Sequence, residues 1–198
     1  MKNTIIASFL LLMSTTVFAQ GKYYLSYEVS DNKWDTGVTV VSGATLDEDD
    51  TGYAILGGIH LNDNLDLEFG YKDFGEAYLA GASGNTFRLD GTLYAFNTSA
   101  IIVAEGEAYL IGLKPKHDLT ENISIFAKIG VNMWDTTYHL ATGTASGSVD
   151  EDGTDFYYGA GVSASFAGLD IGLSHSMYEF DSDDVESTAL SLSYTLNF

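Results

Sequence analysis

TALSLSYTLNF, residues 188–198, decides the fold. Leu190, Leu192, Tyr194, Leu196 and Phe198 alternate with Ser191, Ser193, Thr195 and Asn197. Period-two alternation of this length reads as a β-strand with one apolar face. The same pattern recurs upstream. Leu169, Ile171 and Leu173 alternate with Asp170, Gly172 and Ser174, and Phe156 to Phe166 alternates with Tyr157 to Ser165. Ile123, Ile125, Ala127, Ile129, Val131 and Met133 alternate with Ser124, Phe126, Lys128, Gly130 and Asn132. In the first half, Tyr23 to Val29, Tyr53 to Leu61 (broken by Gly57) and Leu65 to Tyr71 repeat it. Ala104 to Pro115 is weaker. Tyr109, Ile111 and Leu113 form one face, and either Leu110 lies on the other face or the strand carries a bulge. These segments make eight strands.

The connections alternate in length. Asn62 to Asn64, His117 to Asn122 and Ala167-Gly168 are short. Asp31 to Asp50, Gly75 to Ile102 and Asp135 to Gly153 are long, and Asp181 to Val185 is intermediate. Short turns on one side and long loops on the other are the pattern of a transmembrane β-barrel, with the long loops outside the cell. Within Gly75 to Ile102, Asp90-Gly91 is a hairpin turn signal flanked by Thr86 to Leu89 and Thr92 to Tyr94. The neighbouring strands are therefore expected to continue above the membrane there.

A soluble barrel alternates too, with its apolar face inward. The other face discriminates. Here it carries mainly Gly, Ser, Ala and Asn, which suit the cramped interior of eight strands rather than a water-washed exterior. Tyr53, Tyr71, Phe156, Phe166, Phe180, Tyr194 and Phe198 are expected on the apolar face near strand ends, as an aromatic girdle. The phase of Trp134 turns it inward. No Lys or Arg falls on the lipid face, where one near the midplane would cost about 2–4 kcal/mol. The expected fold is all-β: an eight-stranded antiparallel up-and-down transmembrane β-barrel in the cell outer membrane.

The N-terminus agrees. Lys2, the apolar run Ile5 to Met13 and Val17-Phe18-Ala19 form a secretory signal, with cleavage expected after Ala19. Residues 1–19 are thus a signal peptide and 20–198 the barrel domain. The apolar run is too short for a membrane helix. Cysteine is absent, which excludes a disulfide framework, and Pro115 is the single proline. A formal charge of −20 argues against nucleic acid. Much of the acid is clustered, at Asp47 to Asp50, Asp150 to Asp152 and Asp181 to Glu186, and reads as solvated loops.

Three stretches resemble the outer membrane protein A family: TGYAILGGIHLNDNLDLEFGYKDFG (51–75), LTENISIFAKIGVNMWD (119–135) and STALSLSYTLNF (187–198). The resemblance implies a membrane-spanning barrel. It implies that Tyr194, Leu196 and Phe198 serve as the signal read by the barrel assembly machinery. It places charged interior positions at Glu68 and Lys128, with Lys114 standing in for a base where this chain has Leu110. The peptidoglycan-binding domain that family members often carry is not matched.

The inner face supplies Glu28, Glu68, Lys72, Lys114 and Lys128. A buried charge persists only when paired, so these read as a structural ion network, with Glu68 expected opposite Lys128. Ser174-His175-Ser176 with Glu179 invites comparison with lipid A deacylases. Alternation sets His175 and the serines on opposite faces, so no catalytic residues are assigned. Asp150-Glu151-Asp152-Gly153 with Asp155 is a fragment of a calcium-loop pattern without its closing Glu, so no metal site or cofactor is assigned. The expected role is structural, in membrane integrity, or in surface interaction through the acidic loops. The alternatives are a narrow channel and, behind it, a lipid-modifying enzyme. The expected partners are outer-membrane lipid, lipopolysaccharide and the assembly machinery, with the barrel a monomer.

Overall fold

A computed structural model describes residues 22–181 and 183–197. The expected signal peptide, residues 1–19, lies outside the described residues, as does Phe198. The described residues form twelve strands. Eight are long and build the barrel: β1 (Lys22–Asp35), β4 (Asp49–Asn62), β5 (Leu65–Gly81), β8 (Ala100–Asp118), β9 (Ile123–Thr142), β10 (Ser146–Phe166), β11 (Leu169–Phe180) and β12 (Asp183–Asn197). Each pairs antiparallel with its chain neighbour among the eight, and β1 closes the ring against β12 from Lys22↔Asn197 to Asp35↔Asp184. Four short strands, β2 (Val38–Ser42), β3 (Thr45–Asp47), β6 (Thr86–Leu89) and β7 (Thr92–Ala95), lie on the long-connection side. β2, β6 and β7 form a small sheet of their own, and β3 pairs with β5.

The register fixes the stagger. A row of inward-facing partners runs Tyr24, Gly58, Glu68, Gly112, Gly130, Tyr157, Tyr178, Val185 and returns to β1 at Trp34. One circuit has climbed from residue 24 to residue 34, a stagger of ten residues. With ~3.3 Å per residue and ~4.8 Å between strands, that tilts each strand by about 40°.

Alternation sets what touches lipid. Leu25, Ile55, Ile129, Ile171, Leu190 and Leu192 are all more than half exposed, while Ser26, Glu28, Lys128, Ser174 and Ser193 are buried. Leu110 is buried in the lumen with the β8 ladder unbroken around it, so no bulge is needed there. Among the described residues the girdle expectation fails at one, Phe180. Phe180 is 4 % exposed and points inward, because β11 keeps strict period two from Ser174 through Ser176 and Tyr178. A bulge does occur in β5, between Asp73 and Glu76, with Gly75 at φ 73°. It shifts the phase so that Phe74 and Ala77, three residues apart, both face inward.

The long connections are mostly strand. β9 and β10 stay paired up to Ala141↔Ser146, so the expected loop Asp135 to Gly153 is a tall hairpin. β11 reaches Phe180 and pairs it with Asp183, which shortens the expected connection there. Above the membrane both faces meet water, so both carry polar residues and alternation vanishes while the ladder continues. Asp90 (φ 49°) and Gly91 (φ 78°) make the expected turn between β6 and β7. On the other side, Ala167 (φ 53°) and Gly168 (φ 84°) turn β10 into β11. An alanine in the left-handed region costs about 1–2 kcal/mol, which an asparagine relieves. Ala167→Asn is expected to stabilise the barrel by roughly 0.5–1 kcal/mol in urea unfolding from lipid vesicles.

Candidate functional site

The lumen is filled in layers. At the short-turn end Asp66 lies 2.6 Å from His60 Nδ1 and 3.4 Å from Lys116 Nζ. These groups line a polar cavity of about 760 Å³, whose β10–β12 wall presents Ser163, Ser165, Ser191 and Ser193. Above it sit the expected interior charges. Lys128 Nζ donates to Glu28 Oε1 at 2.6 Å, both side chains almost wholly buried. Glu68 Oε1 accepts from Tyr24 OH at 2.7 Å and from Lys114 Nζ at 3.2 Å. The primary partner of Lys128 is therefore Glu28 and not Glu68. β1, not β5, puts a carboxylate within hydrogen-bonding distance of it. Lys114 also faces the rings of Tyr24 and Phe126, at 5.3 and 4.6 Å. Lys72 is fully buried, donates to Ser30 Oγ at 2.8 Å and sits between the rings of Phe74 and Tyr178, at 5.1 and 5.4 Å. Cation–π contact of this kind strengthens when water is excluded.

Rings close the lumen above the charges. Phe74 meets Tyr178 and Phe180 edge-on at 4.9 and 5.0 Å, and Trp34 and Trp134 lie 5.7 and 5.5 Å from Phe180. Trp134 Nε1 donates to Asp155 at 2.7 Å. Small residues opposite make room. A Cβ on Gly58 would strike Tyr24, and one on Gly112 or Gly130 would strike Tyr157. This is the physical reason that the inner face reads as glycine and serine.

The interior cluster of His60, Asp66 and Lys116 was missed as a site. All three hold inner-face phase, which was the usable signal, but they stand beside short turns, where charge reads as solvated.

The outer end is acidic. Of the 28 acidic residues, all but Glu28, Asp63, Asp66, Glu68, Asp118, Glu121 and Asp170 lie at or above the extracellular rim. Of the described basic residues only Lys33 and Arg88 do. On the outer wall, Asp50, Asp73, Glu76, Glu105, Glu107 and Asp135 border a cleft of about 370 Å³. Tyr138 OH donates to Asp183 Oδ2 at 3.2 Å. Burial, aided by Asp90, Glu151 and Asp35, raises the Asp183 carboxyl above its ordinary value, against that hydrogen bond.

The remaining candidates separate. Ser174 and Ser176 are buried in the lumen, whereas His175 is on the outer wall, bonded to Thr188 Oγ1 at 3.1 Å. Asp150 and Asp152 hold outer-face phase on β10, and Glu151 and Asp155 the inner, so the acidic run cannot converge on one ion. Among the described residues no group of three or more His, Asp or Glu is placed to hold a metal. Tyr194 and Leu196 face outward near the end of β12.

A closed sheet with an apolar exterior and a packed lumen defines a transmembrane β-barrel protein. The OmpA-like transmembrane domain model matches residues 19–171, and the chain belongs to that family. Its location is the cell outer membrane. The fold is similar to that of Ail from Yersinia pestis, solved with the heparin analogue sucrose octasulfate (13 % identity, 89 % of this chain, 99 % of that one, TM-score 0.56). It is also similar to OprG of Pseudomonas aeruginosa (12 % identity, 90 % and 97 %, TM-score 0.57) and to the OprF N-terminal barrel of the same organism (11 % identity, 89 % and 100 %, TM-score 0.51). No curated protein matches the chain significantly in sequence.

Two outcomes are expected. Lys128→Met leaves Glu28 buried and unpaired and costs about 3–5 kcal/mol, while Glu28→Leu with Lys128→Met recovers most of that loss. Glu68→Gln with Lys128→Met does not. Heat-shift gel mobility and urea unfolding of the single and double variants measure this coupling. At the rim, a carboxyl raised in the folded state binds protons that the unfolded state has released. Asp183 therefore costs stability at neutral pH, and the cost fades as pH falls below the folded value. Asp183→Asn is expected to stabilise the barrel at pH 7–8 by less than about 1 kcal/mol after solvent screening, and to change nothing near pH 3.

Proposed function

We propose that this protein is a non-enzymatic, non-conducting barrel that supports the outer membrane and presents a rigid acidic platform for interaction at the cell surface. The observation that carries this reading is the layered lumen. Paired charges at mid-height lie under packed rings of Trp34, Phe74, Trp134, Tyr178 and Phe180. Above the cavity at the short-turn end, eight strands enclose only enough room for such side chains, so little is left for a solute to pass.

The platform is built from strands rather than slack loops. β9 and β10 rise together, and β2, β6 and β7 add a second small sheet. Its charge directs partner choice. An anion such as the heparin analogue bound to Ail would meet repulsion from the acidic rim, and a basic protein or peptide would be attracted. Lipopolysaccharide surrounds the barrel as its lipid, and the assembly machinery inserts it through the β12 end.

Planar-bilayer recording of the purified barrel is expected to give no stable steps, while Phe74→Ala with Phe180→Ala admits ion flow. Immobilised heparin should retain none of the protein at physiological salt, and an immobilised polylysine should retain it in a salt-dependent way. Large wild-type conductance, or firm heparin retention, would replace this reading with a channel or an anion receptor.

A further inference from the structure

Closure leaves the eight long strands without a free edge, but the small outer sheet restores one. In that sheet β6 lies between β2 and β7, and among the described residues no strand pairs with the other side of β7. Exposed edges are ordinarily blunted by charge, by proline or by a covering segment. β7 reads Thr92-Leu93-Tyr94-Ala95, with neither charge nor proline, and all four residues are exposed. Leu93 and Tyr94, each about half exposed, present apolar surface on its two faces.

The ladder fixes which backbone groups are free. Phe96 N donates to Asn85 O at 2.9 Å, and Phe96 O accepts from Gly84 N at 2.8 Å, so the polar groups of Phe96 point toward β6. Alternation points those of Tyr94 and Thr92 the same way, opposite Phe87 and Leu89. It turns the N–H and C=O of Leu93 and Ala95 outward. Among the described residues these four groups have no backbone partner. The edge is also held in place. Phe87 lies 5.7 Å from the ring of Tyr94 and 5.2 Å from that of Phe96, and Phe96 packs where Gly81 of β5 lacks a Cβ. At the turn, Asp90 N donates to Gly37 O at 3.3 Å, and Gly37 N to Asp35 Oδ1 at 3.4 Å. Asp35 and Asp90 thus gather near Asp183, whose carboxyl they help to raise. The cation beside the edge, Arg88, is turned back to Gly91 O at 3.1 Å.

We infer that the free edge of β7 docks an extended, lysine- or arginine-rich segment of a protein outside the cell, which joins the small sheet as its fourth strand. The backbone of the segment pairs with Leu93 and Ala95, its apolar side chains lie along Leu93 and Tyr94, and its cations face Asp35, Asp90 and Asp183. Four backbone groups alone give weak pairing, so charge supplies the rest, and the crown is overwhelmingly acidic. A second copy of this chain is disfavoured, because it would bring its own carboxylates to the contact. The inference rests on the proposed surface role and deepens it, naming the form of the partner and the strand that receives it.

The test places the purified barrel in phosphatidylcholine nanodiscs and follows, by fluorescence anisotropy, a short capped peptide of alternating lysine and valine. The same peptide N-methylated along its centre keeps the charge and cannot pair along either edge. The wild type should bind the first about tenfold more tightly than the second, the effect of a few backbone hydrogen bonds. Leu93→Pro removes an outward N–H and spares the β6–β7 ladder, so it should abolish that preference, whereas Leu93→Thr should keep most of it. The peptide comparison uses the wild type alone and stands whether or not Leu93→Pro folds. Equal affinity for the two peptides overturns the inference and leaves the acidic platform standing, as does an unchanged preference in Leu93→Pro of wild-type heat-shift mobility. Failure of either peptide to bind at low salt overturns both readings. Because the chain lacks cysteine, Leu93→Cys reports contact between copies, and oxidative dimers through it would make the edge a self-interface and overturn the inference.

Discussion

Hydrocarbon offers a backbone no hydrogen-bond partner, and every other property of this molecule follows from meeting that condition with strands. The condition is met at the seam, where the first barrel strand pairs with the last from Lys22↔Asn197 to Asp35↔Asp184. Closing the sheet there fixes the stagger, the stagger fixes the tilt and the width, and the width decides what the lumen can hold. The first and last barrel strands are therefore as much a part of the core as any buried side chain.

What the lumen holds is a compromise between charge and volume. Charges taken from water are costly, and the barrel offsets this by giving each a specific neighbour. Lys128 meets Glu28, Lys114 meets Glu68, and Lys72 meets a serine hydroxyl and two rings. These pairings link strands far apart in the chain: the Lys128–Glu28 bond spans 100 residues. Each therefore reports that the whole ring has closed in register. Volume is handled by opposing large to small. Tyr157 occupies the space that Gly112 and Gly130 leave, and Phe126 that of Gly161.

The membrane half of this design was legible because water and lipid impose opposite demands on alternate residues. Leu190, Ile129 and Glu68 could be assigned to a face by counting alone. Once the strands leave the lipid, that contrast ends, and Asp135 to Gly153 reads as loop although β9 and β10 run through it. Phe180 was misplaced for a related reason. An aromatic residue at a strand end suits a girdle as well as a lid, and only continued phase from Ser174 separates the two. The partner of Lys128 was beyond reach, because alternation says which side chains share the lumen but not their height. Height depends on the stagger, a property of the closed ring.

The uneven placement of charge bears on how these molecules share a membrane. Carboxylates crowd the outward end while Lys72, Lys114 and Lys128 are sequestered below. Fields of one sign extend about 8 Å at physiological ionic strength. Neighbouring barrels floating in the same leaflet would feel each other first at their crowns, as repulsion, before their greasy waists could touch. Spacing in the plane of the membrane would then be governed by the counter-ions available outside, with divalent ions drawing the population together and dilution driving it apart.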